Sequence, residues 1–159
     1  MLSGFVKKLL FARQFLIIDG KIEMLGKRQI MLPAEIVAEV QHIDEKRFYT
    51  IVKSNVQRSM AEYAKKIGVS NVGMLKSMEE IFELYGVGKP EIVKLDQSRK
   101  EAVIRFHDPN LKVIYEGPKG PDGLLVEGAL AGMFSFLFEK QVECKPSGKG
   151  GVFFEYLIK

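Results

Sequence analysis

Cysteine is almost absent from this sequence: Cys144 stands alone among 159 residues. One cysteine cannot form an internal disulfide, which suits a reducing cytosol and makes a cytoplasmic location the expectation. Cys-x-x-Cys chemistry is excluded as well. A nucleophilic role for Cys144 needs an adjacent base that lowers its pKa, and the sequence names none. Histidine is nearly as scarce. His42 and His107 fall on different predicted elements, with no His-Glu-x-x-His or other ligand spacing between them. A catalytic or metal site requires several converging partners, so each histidine reads as structural or solvent-facing. An excess of one charge is also missing. The net charge is +4, from 24 basic and 20 acidic residues, and the basic doublets Lys7-Lys8, Lys27-Arg28, Lys46-Arg47, Lys65-Lys66 and Arg99-Lys100 are scattered. Nucleic-acid binders concentrate positive charge on one face and mix in stacking aromatics, so no nucleic-acid partner is expected. Long hydrophobic runs are lacking too. The longest, Leu124 to Phe138, contains Glu127 and falls short of the roughly 20 residues a membrane span needs. The run Leu9-Leu10-Phe11-Ala12 is too short for a signal-peptide core.

What is present is ordinary for a folded chain: 47% hydrophobic and 28% charged residues, enough to bury a sizeable core in one domain over 1–159. The segments 14–18 and 21–25 are apolar runs around Asp19-Gly20. Asp-Gly between such runs favours a type I′ hairpin turn, because both central residues need positive φ. Pro33 opens a helix, where its missing N–H costs nothing. Ile36, Val37, Val40 and Ile43 continue it at helical spacing. Asp44 is placed to cap a second helix whose apolar stripe runs from Phe48 to Ile67, with Gly68 as its stop. Ser70 caps a third, carrying Leu75, Met78, Ile81, Phe82 and Tyr85 and ending at Gly86-Val87-Gly88.

Strands are expected at 91–97 and 101–107 around Ser98-Arg99-Lys100, and the segment 108–116 is ambiguous. Residues 117–123 are a Gly/Pro loop on composition. Its prolines and the lack of a Gly-Lys-Ser/Thr ending argue against a phosphate loop. A strongly apolar helix spans 124–140. Final strands at 141–145 and 152–158 flank a turn at 146–151. Strands, three helices, strands, helix, strands is an α+β order: an antiparallel sheet of hairpins covered by a helical layer, mainly on one face.

Helix 124–140 is the unusual element. Gly128 and Gly132 are four apart and share one face, which lets another backbone approach closely. Each costs about 1 kcal/mol relative to alanine inside a helix, so tight packing or a ligand must offset it. Leu130, Met133, Phe134, Leu137 and Phe138 occupy the other sides. Seven methionines and eleven phenylalanines supply bulky, adaptable walls for a pocket.

From Ile104 onward the order of features resembles the 4-vinyl reductase domain family, whose members include archaeal hydrocarbon-binding proteins. The likeness rests on Gly128-Ala-Leu-Ala-Gly132, then a strand, then Glu143-Cys144, Gly148 and Phe154. Leu32-Pro33-Ala34-Glu35-Ile36 and the long helix after it also fit, so the resemblance covers most of the chain. It implies a fold shared with NO-sensing haem domains and TRAPP vesicle-tethering subunits, a hydrophobic cavity between helices and sheet, and a homodimer. Some members carry zinc on a Glu-x-x-Cys-x₇-Cys pattern. Here Gln141 replaces the glutamate, Cys144 remains, Val152 replaces the second cysteine, and the further cysteine expected before helix 124–140 is missing. One thiolate does not make a tetrahedral site, so no metal is expected. The Tyr-x-Ser-x-Arg pattern of haem-binding relatives is absent as well, and no cofactor is expected.

The expectation is a non-catalytic binder of a small hydrophobic or aromatic molecule, a sensor or carrier. Periodicity and the family layout together put the pocket walls at Met74, Met78 and Phe82, at Val103, and at Leu125 and Met133. Two alternatives stand beside it. One is a dimeric scaffold working through protein surfaces. The other is an accessory factor in tetrapyrrole vinyl reduction, although the lack of a nucleotide fingerprint argues against a self-sufficient reductase.

Overall fold

The computed structural model describes residues 7, 10–11, 15–24, 26–67, 71–107, 123–150 and 153–159. The expected caps Gly68 and Ser70, the ambiguous segment 108–116 and the loop at 117–122 lie outside them. By their contacts the residues divide into two units, Met1–Pro33 and Ala34–Lys159.

The first unit carries an antiparallel sheet of β1 (Phe15–Ile18), β2 (Lys21–Met24) and β3 (Lys27–Gln29). Ile18 pairs with Lys21 across the expected turn. Asp19 and Gly20 both take positive φ there, 50° and 72°, which is the type I′ geometry whose twist matches the flanking strands. The third strand was not legible in the sequence. Lys27-Arg28-Gln29 is short and wholly polar, so it shows no alternation for a pattern argument to catch.

The second unit begins with α1 (Ala34–Val40) and α2 (Glu45–Ile67). Asp44 caps α2 as expected, its Oδ1 accepting from the Arg47 N–H at 3.0 Å. The third helix, α3 (Asn71–Leu84), closes with Gly86 at φ 69°. There the Gly86 N–H donates to the Glu83 carbonyl and the Val87 N–H to the Phe82 carbonyl. That pair of bonds is a Schellman motif, which a residue in the left-handed region permits.

Four strands follow in the order β4-β5-β7-β6, all antiparallel: β4 (Pro90–Asp96), β5 (Glu101–Phe106), β6 (Cys144–Gly150) and β7 (Phe153–Ile158). The β4–β5 turn is held by Asp96 Oδ1, which accepts from the N–H groups of Ser98 and Arg99 and from the Ser98 hydroxyl. Boundaries around β6 differ from expectation: the helix expected over 124–140 ends at Leu137, and the strand expected over 141–145 begins at Cys144. Pro146 to Gly150, read as a turn from composition, belongs to β6, with a register shift between Pro146 and Gly148. β6 is the edge of the sheet, where a proline without an N–H and a bulge are both tolerated.

Between β5 and β6 comes α4 (Leu124–Leu137), buried around nearly its whole circumference. It packs most extensively on α2 and also touches β6 and β7. A helix between a sheet and another helix has no solvent face, which is why its sequence is apolar all round. The inner face of the sheet is Ala102, Ile104 and Phe106 on β5 with Phe154, Tyr156 and Ile158 on β7. The α+β architecture is as the element order indicated.

Candidate functional site

Most of the residues singled out as pocket walls are buried in the core. Met74, Met78 and Phe82 repeat every fourth residue, so they form one stripe along α3, and all three are buried. The Phe82 ring meets Phe106 of β5 edge-on at 5.4 Å, and Phe106 meets Tyr156 of β7 at 6.0 Å in the same manner. Such edge-to-face pairs add roughly 0.5–1.5 kcal/mol each beyond the area they bury. Met133 is buried on α4, and Phe134 contacts Phe138 at 5.3 Å. Leu125 is half-buried near the start of α4. Val103 is not brought to this interior. On β5 the buried residues are Ala102, Ile104 and Phe106, so Val103 stands on the opposite, half-exposed face. Alternation within β5 could have separated it from the others.

The two glycines of α4 face α2. A Cβ on Gly132 would lie 2.4 Å from the Lys53 carbonyl oxygen, and one on Gly128 would lie 3.0 Å from Val52 Cβ and 3.1 Å from the Tyr49 carbonyl oxygen. Four residues along α4 therefore correspond to about four along α2, and the two helices run side by side in the same direction with their backbones in near contact. Here the helical cost of glycine is offset by packing, not by a ligand.

The chain then returns along α2 in the opposite direction. The Gln141 side-chain amide donates to Gln57 at 3.2 Å. Lys53 Nζ lies 2.7 Å from Glu143 Oε1, and the Tyr49 hydroxyl donates to Glu143 Oε2 at 2.5 Å while accepting the Cys144 N–H at 3.3 Å. Tyr49, Lys53 and Gln57 are again spaced by four and form one ridge. Burial raises the Glu143 carboxyl, but the hydrogen bonds from Lys53 and Tyr49 outweigh it and hold the group below its usual value. The Tyr49 phenol moves strongly upward, through burial first and its bond to the Glu143 carboxylate second. No local pattern in the sequence joins Tyr49, Lys53 and Glu143, because the partners are about ninety positions apart.

Cys144 is buried at the start of β6, and the buried Ser135 of α4 accepts the Val142 N–H at 3.1 Å. Burial, with the charges of Glu127 and Glu143, pushes the Cys144 thiol well above its ordinary value. A thiol so placed is a poor nucleophile. Gly148 on β6 and Phe154 on β7, the remaining motif positions, take part in the sheet itself. His42 Nδ1 lies 3.6 Å from Glu45, and His107 bonds Glu91 at the sheet's end. Among the described residues no three His, Cys, Asp or Glu side chains gather as a metal site, and no helix is long and apolar enough to cross a membrane.

No family model matches the sequence, and no curated protein does. The fold, in contrast, has solved counterparts. The phenol-responsive sensory domain of the transcription activator PoxR, determined with phenol, is similar over 99% of this chain and 91% of that one, with a TM-score of 0.68 at 17% identity. A trafficking protein particle complex subunit 3 from Naegleria fowleri, covalently bound to palmitic acid, is similar over 79% of this chain and 93% of that one, with a TM-score of 0.53 at 15% identity. The chain thus shares its fold with these two structures, the trafficking subunit among them as expected, while no sequence match supports the 4-vinyl reductase resemblance itself.

Proposed function

We propose that this protein binds a small hydrophobic or aromatic molecule, without catalysis, in the interior between α3, α4 and the inner face of the sheet. The two units are read together as one 4-vinyl reductase-like domain acting as a sensor or carrier. The observation that carries the reading is the buried Met74–Met78–Phe82 stripe, which meets the Phe106–Tyr156 aromatic stack. Unbranched thioethers change rotamer at little cost and favour aromatic contacts, so such an interior can open around a guest. The similar folds with phenol and with palmitic acid support the reading. A ligand that binds only the folded state stabilises it by about 2.7 kcal/mol at a concentration one hundred times its dissociation constant. Native mass spectrometry and thermal unfolding with phenol, 4-methylphenol and palmitate are therefore the first experiment. A bound mass, a raised Tm, and loss of both in Met78→Trp support the reading. An empty protein across a broad hydrophobic library overturns it.

A second reading has its own observation. Ile36, Val40 and Ile43 on and just after α1 are exposed, with Ile43 at 82%, and Ile51 on α2 is exposed as well. Apolar groups spaced along one helix and left in solvent favour a homodimeric scaffold. Light scattering tests it: Ile43→Glu converts a dimer to a monomer if this face is the interface, whereas the pocket reading leaves the mass unchanged.

A further inference from the structure

The outward face of the sheet carries a cleft that the interior reading does not use. It is open, about 540 Å³, and lined by Lys89, Pro90, Glu91, Arg105 and His107. Strand register explains the grouping. Glu91 pairs with Arg105 and Arg105 with Glu155, which sets three charged side chains in one row across β4, β5 and β7. Pro90 pairs with Phe106 and Phe106 with Phe154, so one step further Lys89, His107 and Phe153 fall in the adjacent row of the same face.

Arg105 is the centre of this cleft. Its Nη2 bonds Glu155 at 2.9 Å, and its guanidinium lies over the Phe153 ring at 4.7 Å. These two contacts fix the orientation of the fork. The rest of it is weakly engaged: Nη1 comes no nearer to Glu91 than 4.0 Å, and the buried Nε has no partner. Lys89 is 72% exposed and reaches Glu83 only at 3.9 Å. Glu91, bonded to His107, is the one carboxylate in the lining. A cation entering here meets the oriented charge of Arg105 and the mobile one of Lys89. An anion meets the Nη1 side of an arginine fork and an ammonium, whose contacts with Glu91 and Glu83 at 4.0 and 3.9 Å are too long to be hydrogen bonds.

We propose that this cleft binds a small carboxylate, held by the guanidinium of Arg105 and the ammonium of Lys89. Arginine presents N–H groups in a planar fork that matches a carboxylate, and Lys89 adds a mobile point charge. Glu91 competes for the same positive field and limits affinity. The site is independent of the interior, so the two stand or fall separately.

The test is a titration of the intact ¹⁵N-labelled chain with sodium benzoate, followed by NMR and compared with sodium chloride at equal ionic strength. The expected result is a saturable, millimolar shift of the Arg105 Nε–H and the amides at 89–91 and 105–107. Lys89→Gln, at an exposed position, weakens it about threefold, the scale of one surface ion pair. Glu91→Gln tightens it by a similar factor. Uniform, non-saturating shifts like those of chloride overturn the proposal, as does binding unchanged by both substitutions. Saturable shifts confined to the backbone amides around Met78 and Met133 also overturn it, while agreeing with the interior reading.

Discussion

Two interfaces in the core are built on opposite principles. Toward α2, α4 presents Gly128 and Gly132, side chains of no volume, and the backbones nearly touch. Along α3, in contrast, Met74, Met78 and Phe82 are buried, and Phe82 meets Phe106 of the sheet. The glycine seam has one solution, because a backbone carbonyl cannot move aside. The methionine interior has many, because each thioether has several rotamers of similar energy. Rigidity and adaptability are thus distributed by residue type across one small core. A domain that receives a guest needs both: a fixed frame and a wall that yields.

Substitutions can break this contrast. Gly132→Ala sets a Cβ at 2.4 Å from the Lys53 carbonyl oxygen and should cost about 3 kcal/mol, the upper range for overpacking. Chemical denaturation measures it, and a loss below about 1 kcal/mol means that the seam yields after all. Gly128→Ala meets contacts of 3.0–3.1 Å, two of the three with the Val52 side chain, and should cost only about 1 kcal/mol. If the two substitutions cost the same, the backbone carbonyl is not what limits the seam.

On the yielding side, Met78→Leu should cost about 1 kcal/mol or less, because volume-conserving swaps are absorbed by repacking. Its denaturation midpoint therefore lies closer to that of the parent chain than the midpoint of Gly132→Ala does. A loss as large as that of Gly132→Ala would show that the interior is as rigid as the seam.

The smallest effect concerns pH. Glu143 has its carboxyl lowered in the folded state. Its contribution to stability is therefore present above the ordinary carboxylate pKa and is lost as pH falls through the lower, folded value. Tyr49 has its phenol raised, so its contribution is present below the ordinary phenol pKa and is lost as pH rises toward the folded one. Denaturation midpoints should drop at both extremes. Tyr49→Phe should flatten the alkaline drop and only part of the acid one, since Lys53 still holds Glu143, and unchanged profiles would separate this cluster from stability. The buried Cys144 should react with a thiol reagent only on unfolding, with the same midpoint as the loss of structure; fast native labelling would contradict its burial.

Elements with strong local signals were legible. The Asp19-Gly20 turn, the Asp44 cap and the Gly86 stop each follow from the conformation or hydrogen bond that one residue supplies. The same holds for α4, whose apolar composition leaves burial as its one stable state. Within the candidate site, the α3 stripe was readable from a period of four, and Val103 could have been assigned to the other face by alternation. Pro146 misled because a proline in a strand is acceptable only at an edge, and edge position is a property of the assembled sheet.

The sequence by itself determined where chain direction changes and which residues avoid water, since those depend on backbone torsion and hydrophobicity at each position. It also determined that Gly128 and Gly132 require a close neighbour. Only the tertiary structure decided that this neighbour is the backbone of α2. It alone brought Tyr49 and Lys53 to Glu143, and Lys89 to Arg105, because a contact between residues far apart in the chain depends on how helices and strands pack together. A single sequence encodes that packing jointly and shows it at no one position.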